Sequence, residues 1–158
     1  IASLAFAKRL HPNTIGKLAI DAKLKKAKRG DVLIEQGKPG KAFYIVQEGS
    51  VRIIAFKGYR VVFQKILSKG DVFGEISLVK GIPATATVVV ESEEAKLLSI
   101  SKNRFHKIVE KTPGLLLSLE LISQERMQEL EAKAKEDDKT LLELVVDALK
   151  IQENRNKS

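Results

Sequence analysis

The sequence predicts a mainly β domain, in the form of a barrel, jelly roll or sandwich, with helices on either side of it. Short runs rich in β-branched or aromatic residues follow one another at intervals of about 8 to 12 residues, separated by turns with Gly, Pro or charged residues. The runs are residues 32–37, 42–49, 50–56, 59–67, 84–90 and 95–100. With 158 residues and 44% apolar content, we expect one compact domain with a real core.

Helical patterns precede and follow these strands. Residues 13–28 predict a short amphipathic helix with Asn13 as its N-cap, and Ser101 caps another helix that ends near residue 111. A longer helix is expected over 113–135, and Thr140 begins a last one with capping-box spacing. The chain is thus expected to comprise an N-terminal helical segment, the β-rich part, the C-terminal helices of the domain and an additional terminal helix, at residues 1–28, 29–100, 101–135 and 139–152.

The formal net charge of +8 is concentrated in the N-terminal half. Such a cluster could meet nucleic acid, acidic lipid or an acidic protein, but no aromatic residues for base stacking lie among these cations. A solvated helix face is therefore the preferred interpretation, with anion or nucleic-acid binding as a weaker option. The clustered cations are Lys17, Lys23, Lys25, Lys26, Lys28 and Arg29.

The composition argues against several classes of protein. The chain has no cysteine, which excludes disulfides and thiolate metal sites and makes a reducing, cytoplasmic setting the expectation. Its apolar runs are too short for a transmembrane helix. His11 and His106 are the only histidines, and neither lies in a cluster with a nucleophile and an orienting acid, so we expect no enzyme, no cofactor and no metal site.

Two segments carry a resemblance to a known family. Residues 30–53 read GDVLIEQGKPGKAFYIVQEGSVRI, and residues 70–88 read GDVFGEISLVKGIPATATV. In glycine spacing and order they resemble the cyclic nucleotide-binding domain family, over about residues 14–132. The resemblance implies a double-stranded β-helix or jelly-roll-like β-roll of the catabolite activator protein type, flanked by helices. It also implies a short insertion between two strands that cradles the cyclic phosphate and ribose of a ligand such as cyclic AMP or cyclic GMP.

The resemblance assigns the ligand site to this insertion. Glu75 is expected to accept a hydrogen bond from a ribose hydroxyl, and small residues at Gly74 and Ser77 leave backbone N–H groups free for phosphate oxygens. Ser77 could equally be a small residue that only permits close packing. The residues implied to contact the phosphate and ribose are Phe73, Gly74, Glu75, Ile76, Ser77, Ala84, Thr85 and Thr87.

The sequence departs from the family at one position. In the family, an arginine that pairs with the cyclic phosphate typically follows the proline, but here Ala84 follows Pro83. A charge-assisted contact of this kind contributes about 1.5–3 kcal/mol or more, so binding is expected to be weak. By the resemblance, Thr85 indicates a guanine nucleotide, because a threonine just after the arginine position is associated with guanine preference in the family. A cation from elsewhere could compensate, the candidates being Lys80, Arg52 and Arg60.

The long helix is expected to lie over the ligand. By the resemblance, Arg126, Glu129 and Leu130 fall where base-facing or capping residues would be. An exposed position is the default for a helix arginine such as Arg126, and an ion pair with Glu75 that holds an empty pocket closed is the alternative. The apolar stripe at Leu119, Ile122, Met127 and Leu130 is expected to form core or a dimer seam.

Two functions remain open. The leading hypothesis is a regulatory, non-catalytic module with weak or atypical nucleotide binding that is transmitted through the C-terminal helices to a protein partner or a second subunit. The alternative is a degenerate module that binds no cyclic nucleotide and acts as a protein-interaction or dimerisation unit. Direct sequence-specific DNA binding is not expected, because the residues after Leu130 are too few for a helix-turn-helix domain.

Overall fold

The computed structural model describes residues 10–133 together with Val146 and Leu149. Two four-stranded antiparallel sheets form the centre, with the strand orders β1-β8-β3-β6 and β2-β7-β4-β5. The strands are β1 Lys23–Lys28, β2 Val32–Ile34, β3 Ala42–Glu48, β4 Ser50–Lys57, β5 Arg60–Ser68, β6 Val72–Phe73, β7 Thr87–Val90 and β8 Glu94–Ser101. The helices are α1 Pro12–Ile20, α2 Glu75–Lys80, α3 Lys102–Lys111 and α4, residues 115–133. The predicted mainly β fold with flanking helices is confirmed.

The N-terminal helix is shorter than predicted. Its N-cap is His11 rather than the predicted Asn13, since Nδ1 of His11 accepts a hydrogen bond from the backbone amide of Asn13. The helix ends at Ile20 rather than at Lys28. Lys23–Lys28 instead pair with β8 as an edge strand. Pairing with β8 overrides the helical propensity of this Lys-, Leu- and Ala-rich segment. The lysines of β1 are therefore exposed on a sheet edge, where they discourage pairing with another chain, rather than on a helix face.

Strand β3 is buried on both faces and separates two parts of the core. Tyr44 and Val46 point between the two sheets, where they pack with residues such as Leu97. Phe43 and Ile45 point to the other side, onto the helices. Because successive side chains of a strand alternate between faces, a continuous apolar run is what a doubly covered strand requires.

The C-terminal helices pack against this second face of β3. Ser101 caps α3 as predicted, since its hydroxyl accepts a hydrogen bond from the Arg104 amide. On α4, Leu115, Leu119 and Ile122 are buried in the same core cluster as Phe105 of α3. These contacts fix the first half of α4 against β3 and α3.

Some expectations for the C-terminal part remain untested. The predicted terminal helix at 139–152 lies outside the described residues apart from Val146 and Leu149, which are both helical and exposed. The division of the chain into segments stays a prediction, as does the dimer seam. Within the described part of the chain, no helix combines the length and apolarity that a bilayer crossing requires.

Candidate functional site

A cavity of about 360 Å³ opens where the two sheets meet α2 and α4. Its apolar walls include Tyr44, Phe63 and Leu67 from the strands. Of the residues that the resemblance assigns to the ligand site or to its cover on the long helix, all line the cavity except Thr87. They are Phe73, Gly74, Glu75, Ile76, Ser77, Ala84, Thr85, Arg126, Glu129 and Leu130. The structure therefore brings the insertion and the long helix, about 50 residues apart in sequence, to one site.

Gly74 sets the position of α2 at the cavity. It has a φ of 90°, in the left-handed region, and caps the N-terminus of α2. A Cβ atom on this residue would stand 2.7 Å from the carbonyl oxygen of Ala42 on β3. Only glycine combines the left-handed turn at position 74 with the close approach of α2 to β3. This arrangement places the Glu75 side chain in the interior, two residues after β6 ends.

Glu75 is the most deeply buried charged residue in the described part of the chain, with 1% of its side chain exposed. Its Oε1 accepts a hydrogen bond from Nη1 of Arg126 on α4, while no described residue donates to its Oε2. An unmet acceptor on a buried carboxylate is energetically costly. Glu75 therefore has one oxygen available for a hydroxyl or amide donor that enters the cavity.

Three contacts hold α4 over the cavity, and they are made by Arg126, Glu129 and Leu130. The side chain of Arg126 is only 17% exposed, so the default expectation of an exposed helix arginine is wrong and the alternative, an ion pair with Glu75, is observed. Nζ of Lys65 lies 3.5 Å from Oε2 of Glu129, and Leu130 packs on a small cluster that contains Phe63. Any change in the hydrogen bonding of Glu75 therefore acts directly on α4 through Arg126.

Ser77 and Thr87 have structural hydrogen bonds. The Ser77 hydroxyl donates to the carbonyl oxygen of Ile82 at 2.5 Å and so holds the turn after α2. Thr87 accepts a hydrogen bond from the Gln36 amide at 3.1 Å and does not line the cavity. Because side chains alternate along β7, Val88 faces the cavity and Thr87 faces away.

Ala84 lies in the cavity wall without any charge of its own. It is 8% exposed, and both its backbone groups are used by the β2–β3 loop: its amide donates to the carbonyl oxygen of Lys38 at 2.9 Å, and its carbonyl accepts from the Gly37 amide at 2.8 Å. The wall at this point is therefore apolar and its backbone polar groups are already satisfied.

None of the three cations suggested as compensation borders the cavity. Lys80 is exposed at the end of α2, and Arg60 lies at the start of β5. Arg52 forms a bidentate pair with Glu91, at 2.9 and 2.7 Å. The hydrogen bond with Glu91 raises the pKa of Arg52 and lowers that of Glu91, so this arginine is already engaged.

Sequence reasoning missed several residues that line the cavity. Tyr44 stacks on Phe73 with 4.9 Å between the ring centroids, and burial raises the pKa of its hydroxyl. Lys38, Lys41 and Lys65 supply cations at the cavity. The sequence held no signal for these lysines, since a lysine in a loop or strand is usually solvent-exposed and unremarkable.

Comparisons with known proteins agree with this architecture. The chain is 35% identical over 107 residues to a cAMP-dependent protein kinase regulatory subunit of Hypocrea atroviridis, which covers 68% of this chain and 22% of that relative. It is 33% identical over 98 residues to a cGMP-dependent protein kinase of Toxoplasma gondii, covering 62% of this chain and 10% of the relative. The chain therefore spans about a fifth or less of the length of these relatives.

Solved structures give the same result. A structure described as "Sp-2Cl-cAMPS bound to PKAR CBD2" matches with a TM-score of 0.61 and 25% identity, covering 82% of this chain and 81% of the other. The regulatory domain of Toxoplasma gondii PKA with cAMP matches in fold with a TM-score of 0.60 and 24% identity, over 75% of this chain and 44% of that one. The profile of the cyclic nucleotide-binding domain matches residues 24–112. With its β-roll, its insertion at α2 and this match, the chain belongs to the cyclic nucleotide-binding domain family.

Proposed function

We propose that this chain is a non-catalytic regulatory module that binds a cyclic nucleotide or a related ligand weakly in the cavity beside Glu75. The observation that carries the proposal is the buried Glu75 carboxylate, which has one oxygen paired with Arg126 and the other without a described partner. A ribose hydroxyl is a donor of the right kind for this oxygen. The names of the relatives, which include cAMP- and cGMP-dependent kinases, support a ligand of this class.

Weak binding follows from Ala84. A bidentate arginine contact to phosphate contributes about 1.5–3 kcal/mol, so its absence lowers affinity by about tenfold to a few hundredfold. The remaining wall of the cavity is intact in shape: α2 is held against β3 at Gly74, and the backbone of Ala84 is bonded to the β2–β3 loop. The defect is therefore one of charge at a single position.

Transmission would run through α4. A ligand that donates to Glu75 competes with, or adds to, the Arg126 contact, and it also meets Glu129 and Leu130 at the cavity edge. A ligand shifts a conformational equilibrium only through a difference in its affinity for two states. Here the difference in affinity would arise because α4 contributes three residues to the cavity when it is docked on the β-rich part. A ligand could make no contact with those residues in a state in which α4 is undocked.

Amide chemical shifts of the 15N-labelled full chain test this proposal. We expect cyclic AMP or cyclic GMP, added at about a millimolar and above, to shift the amides of 73–77 and 126–130 in a saturable way. Inorganic phosphate at equal ionic strength is the control and should leave these amides unchanged. Shifts confined to the lysine-rich strand β1, or no shifts with either nucleotide, would contradict the proposal.

A second candidate function is a protein-interaction or dimerisation unit that takes no nucleotide. It is favoured by three exposed leucines on α4, Leu116, Leu117 and Leu121, with exposures of 44%, 62% and 50%. If this is the main role, the full chain will self-associate in sedimentation velocity, and Leu117→Ser combined with Leu121→Ser will abolish the association. A monomer at all concentrations would remove the dimerisation form of this candidate.

A further inference from the structure

The charges around the cavity form pairs with one exception. Among the described residues, three carboxylates line it, and each has a cation beside it: Glu75 with Arg126, Glu129 with Lys65 at 3.5 Å, and Glu35 with Lys38 at 2.8 Å. Lys41 also lines the cavity, and no ion pair joins it to any of the described residues. The cavity is therefore left with one positive charge that nothing in the described chain offsets.

Lys41 is the last residue of the β2–β3 loop and borders the cavity. Its loop is joined to Ala84 by the two backbone hydrogen bonds already described. The residue before it, Gly40, lies so close to α2 that a Cβ atom there would stand 2.9 Å from the Cβ of Ser77. The carbonyl oxygen of Lys41 accepts a hydrogen bond from the amide of Lys102 at 2.9 Å. The backbone of Lys41 is thus fixed between α2 and α3, and its side chain remains exposed at the cavity edge.

We propose that Lys41 supplies the positive charge that faces the phosphate of the ligand, in place of an arginine at position 84. This assignment rests on the proposed function, because it concerns the same ligand. Lysine carries a compact charge on a flexible four-carbon stem, so it reaches an anion from a neighbouring loop without a bidentate geometry. The ligand class is accordingly a ribose-containing monoanionic phosphodiester whose phosphate lies at the solvent-exposed edge.

Titration of matched variants tests this assignment. Affinities for cyclic AMP, cyclic GMP and adenosine are measured with the full chain, with Lys41→Ala and with Lys41→Arg, at two salt concentrations. Lys107→Ala is the control: Lys107 is also exposed, lies on α3 and does not line the cavity, and its substitution removes the same net charge. We expect Lys41→Ala to weaken the tighter cyclic nucleotide about three- to tenfold. Lys41→Arg and Lys107→Ala should stay within about twofold of the full chain.

The salt dependence of the affinity, and the comparison with adenosine, show whether Lys41 acts on the phosphate of the ligand. Affinity of the full chain for the cyclic nucleotide should fall with added salt, and Lys41→Ala should flatten that dependence. Adenosine, which has no phosphate, should be unaffected by the substitution. Equal losses for adenosine and the nucleotide, or equal effects of Lys41→Ala and Lys107→Ala, would overturn the role of Lys41 while leaving the proposed function standing. Absence of nucleotide binding to the full chain would overturn both.

Discussion

The two sides of the cavity differ in how their charges are arranged. On the side of α4, Glu75 is buried, paired with Arg126 and has an oxygen to spare. On the side of the β2–β3 loop, Ala84 presents a methyl group, and its backbone is fully used in holding the loop. One side thus holds a buried carboxylate coupled to a helix. The other has an uncharged wall at Ala84 and carries its charges on exposed residues of the loop, Glu35, Lys38 and Lys41. The contrast shows that backbone hydrogen bonds alone can hold a cavity wall that carries no charged side chain at Ala84.

Restoring the arginine should sharpen this contrast most. Ala84→Arg adds a guanidinium to an apolar wall, and we expect cyclic nucleotide affinity to rise by about tenfold to a few hundredfold, measured by calorimetry. Ala84→Gln, of similar length but without charge, is the control and should give little gain. If Ala84→Arg binds no better than the parent chain, the side of α4 is not sufficient to orient a nucleotide.

The rigid placement of α2 can be tested with two glycines. Gly74→Ala and Gly70→Ala both force alanine into a φ of 90°, but only at Gly74 does the new Cβ meet a backbone atom, the Ala42 carbonyl oxygen. The conformational cost of about 1–2 kcal/mol is common to both, so Gly74→Ala should lower the free energy of unfolding by about 1–3 kcal/mol more than Gly70→Ala. Urea denaturation measures the difference. Equal losses would mean that α2 can shift away from β3.

The side of α4 can be weakened without changing its shape. Glu75→Gln replaces a charged acceptor by a neutral amide, so we expect the affinity for the tighter cyclic nucleotide to fall by about tenfold or more. Glu129→Gln, which alters a half-exposed pair at the same cavity, is the matched control and should cost less than about threefold. An equal effect of the two substitutions would remove the special role given to Glu75.

The smallest expected effect concerns Arg52, which the pair with Glu91 keeps away from the cavity. The hydrogen bond from Arg52 lowers the pKa of Glu91 below the usual range of a glutamate. The pair therefore stabilises the folded state at pH values above the ordinary glutamate pKa, and this contribution is lost as the pH falls through the lowered pKa. Thermal denaturation should therefore show the parent chain losing a small advantage over Glu91→Gln in acid. If the difference in thermal stability between the two chains were the same at all pH values, the ion pair between Arg52 and Glu91 would be contradicted.

Much of the fold was predictable from the sequence because its signals are local. The strands follow from apolar alternation and glycine turns, and the Ser101 cap follows from residue type alone. The strand Lys23–Lys28 was not predictable, because its composition favours a helix and only pairing with β8 makes it a strand. Local pattern carries no information about such a partner.

The site was predictable in outline but not in its charges. The residues of the insertion and of α4 could be named in advance because the family pattern fixes their order. That Thr87 faces away from the cavity depends on where β7 begins, and that the β2–β3 loop brings Lys41 to the cavity depends on the hydrogen bonds of this loop with Ala84. Neither could be read from spacing, since both are set by contacts between residues about 40 or more positions apart.

We propose that the cavity takes a cyclic nucleotide although Ala84 carries no charge. Calorimetric titration with cyclic AMP and with cyclic GMP, at protein concentrations suited to a dissociation constant of about a millimolar, tests it most directly. We expect saturable heat with at least one of the two nucleotides and a loss of that heat in Glu75→Gln. Flat traces with both nucleotides would contradict it and would leave the fold as a scaffold for its helices.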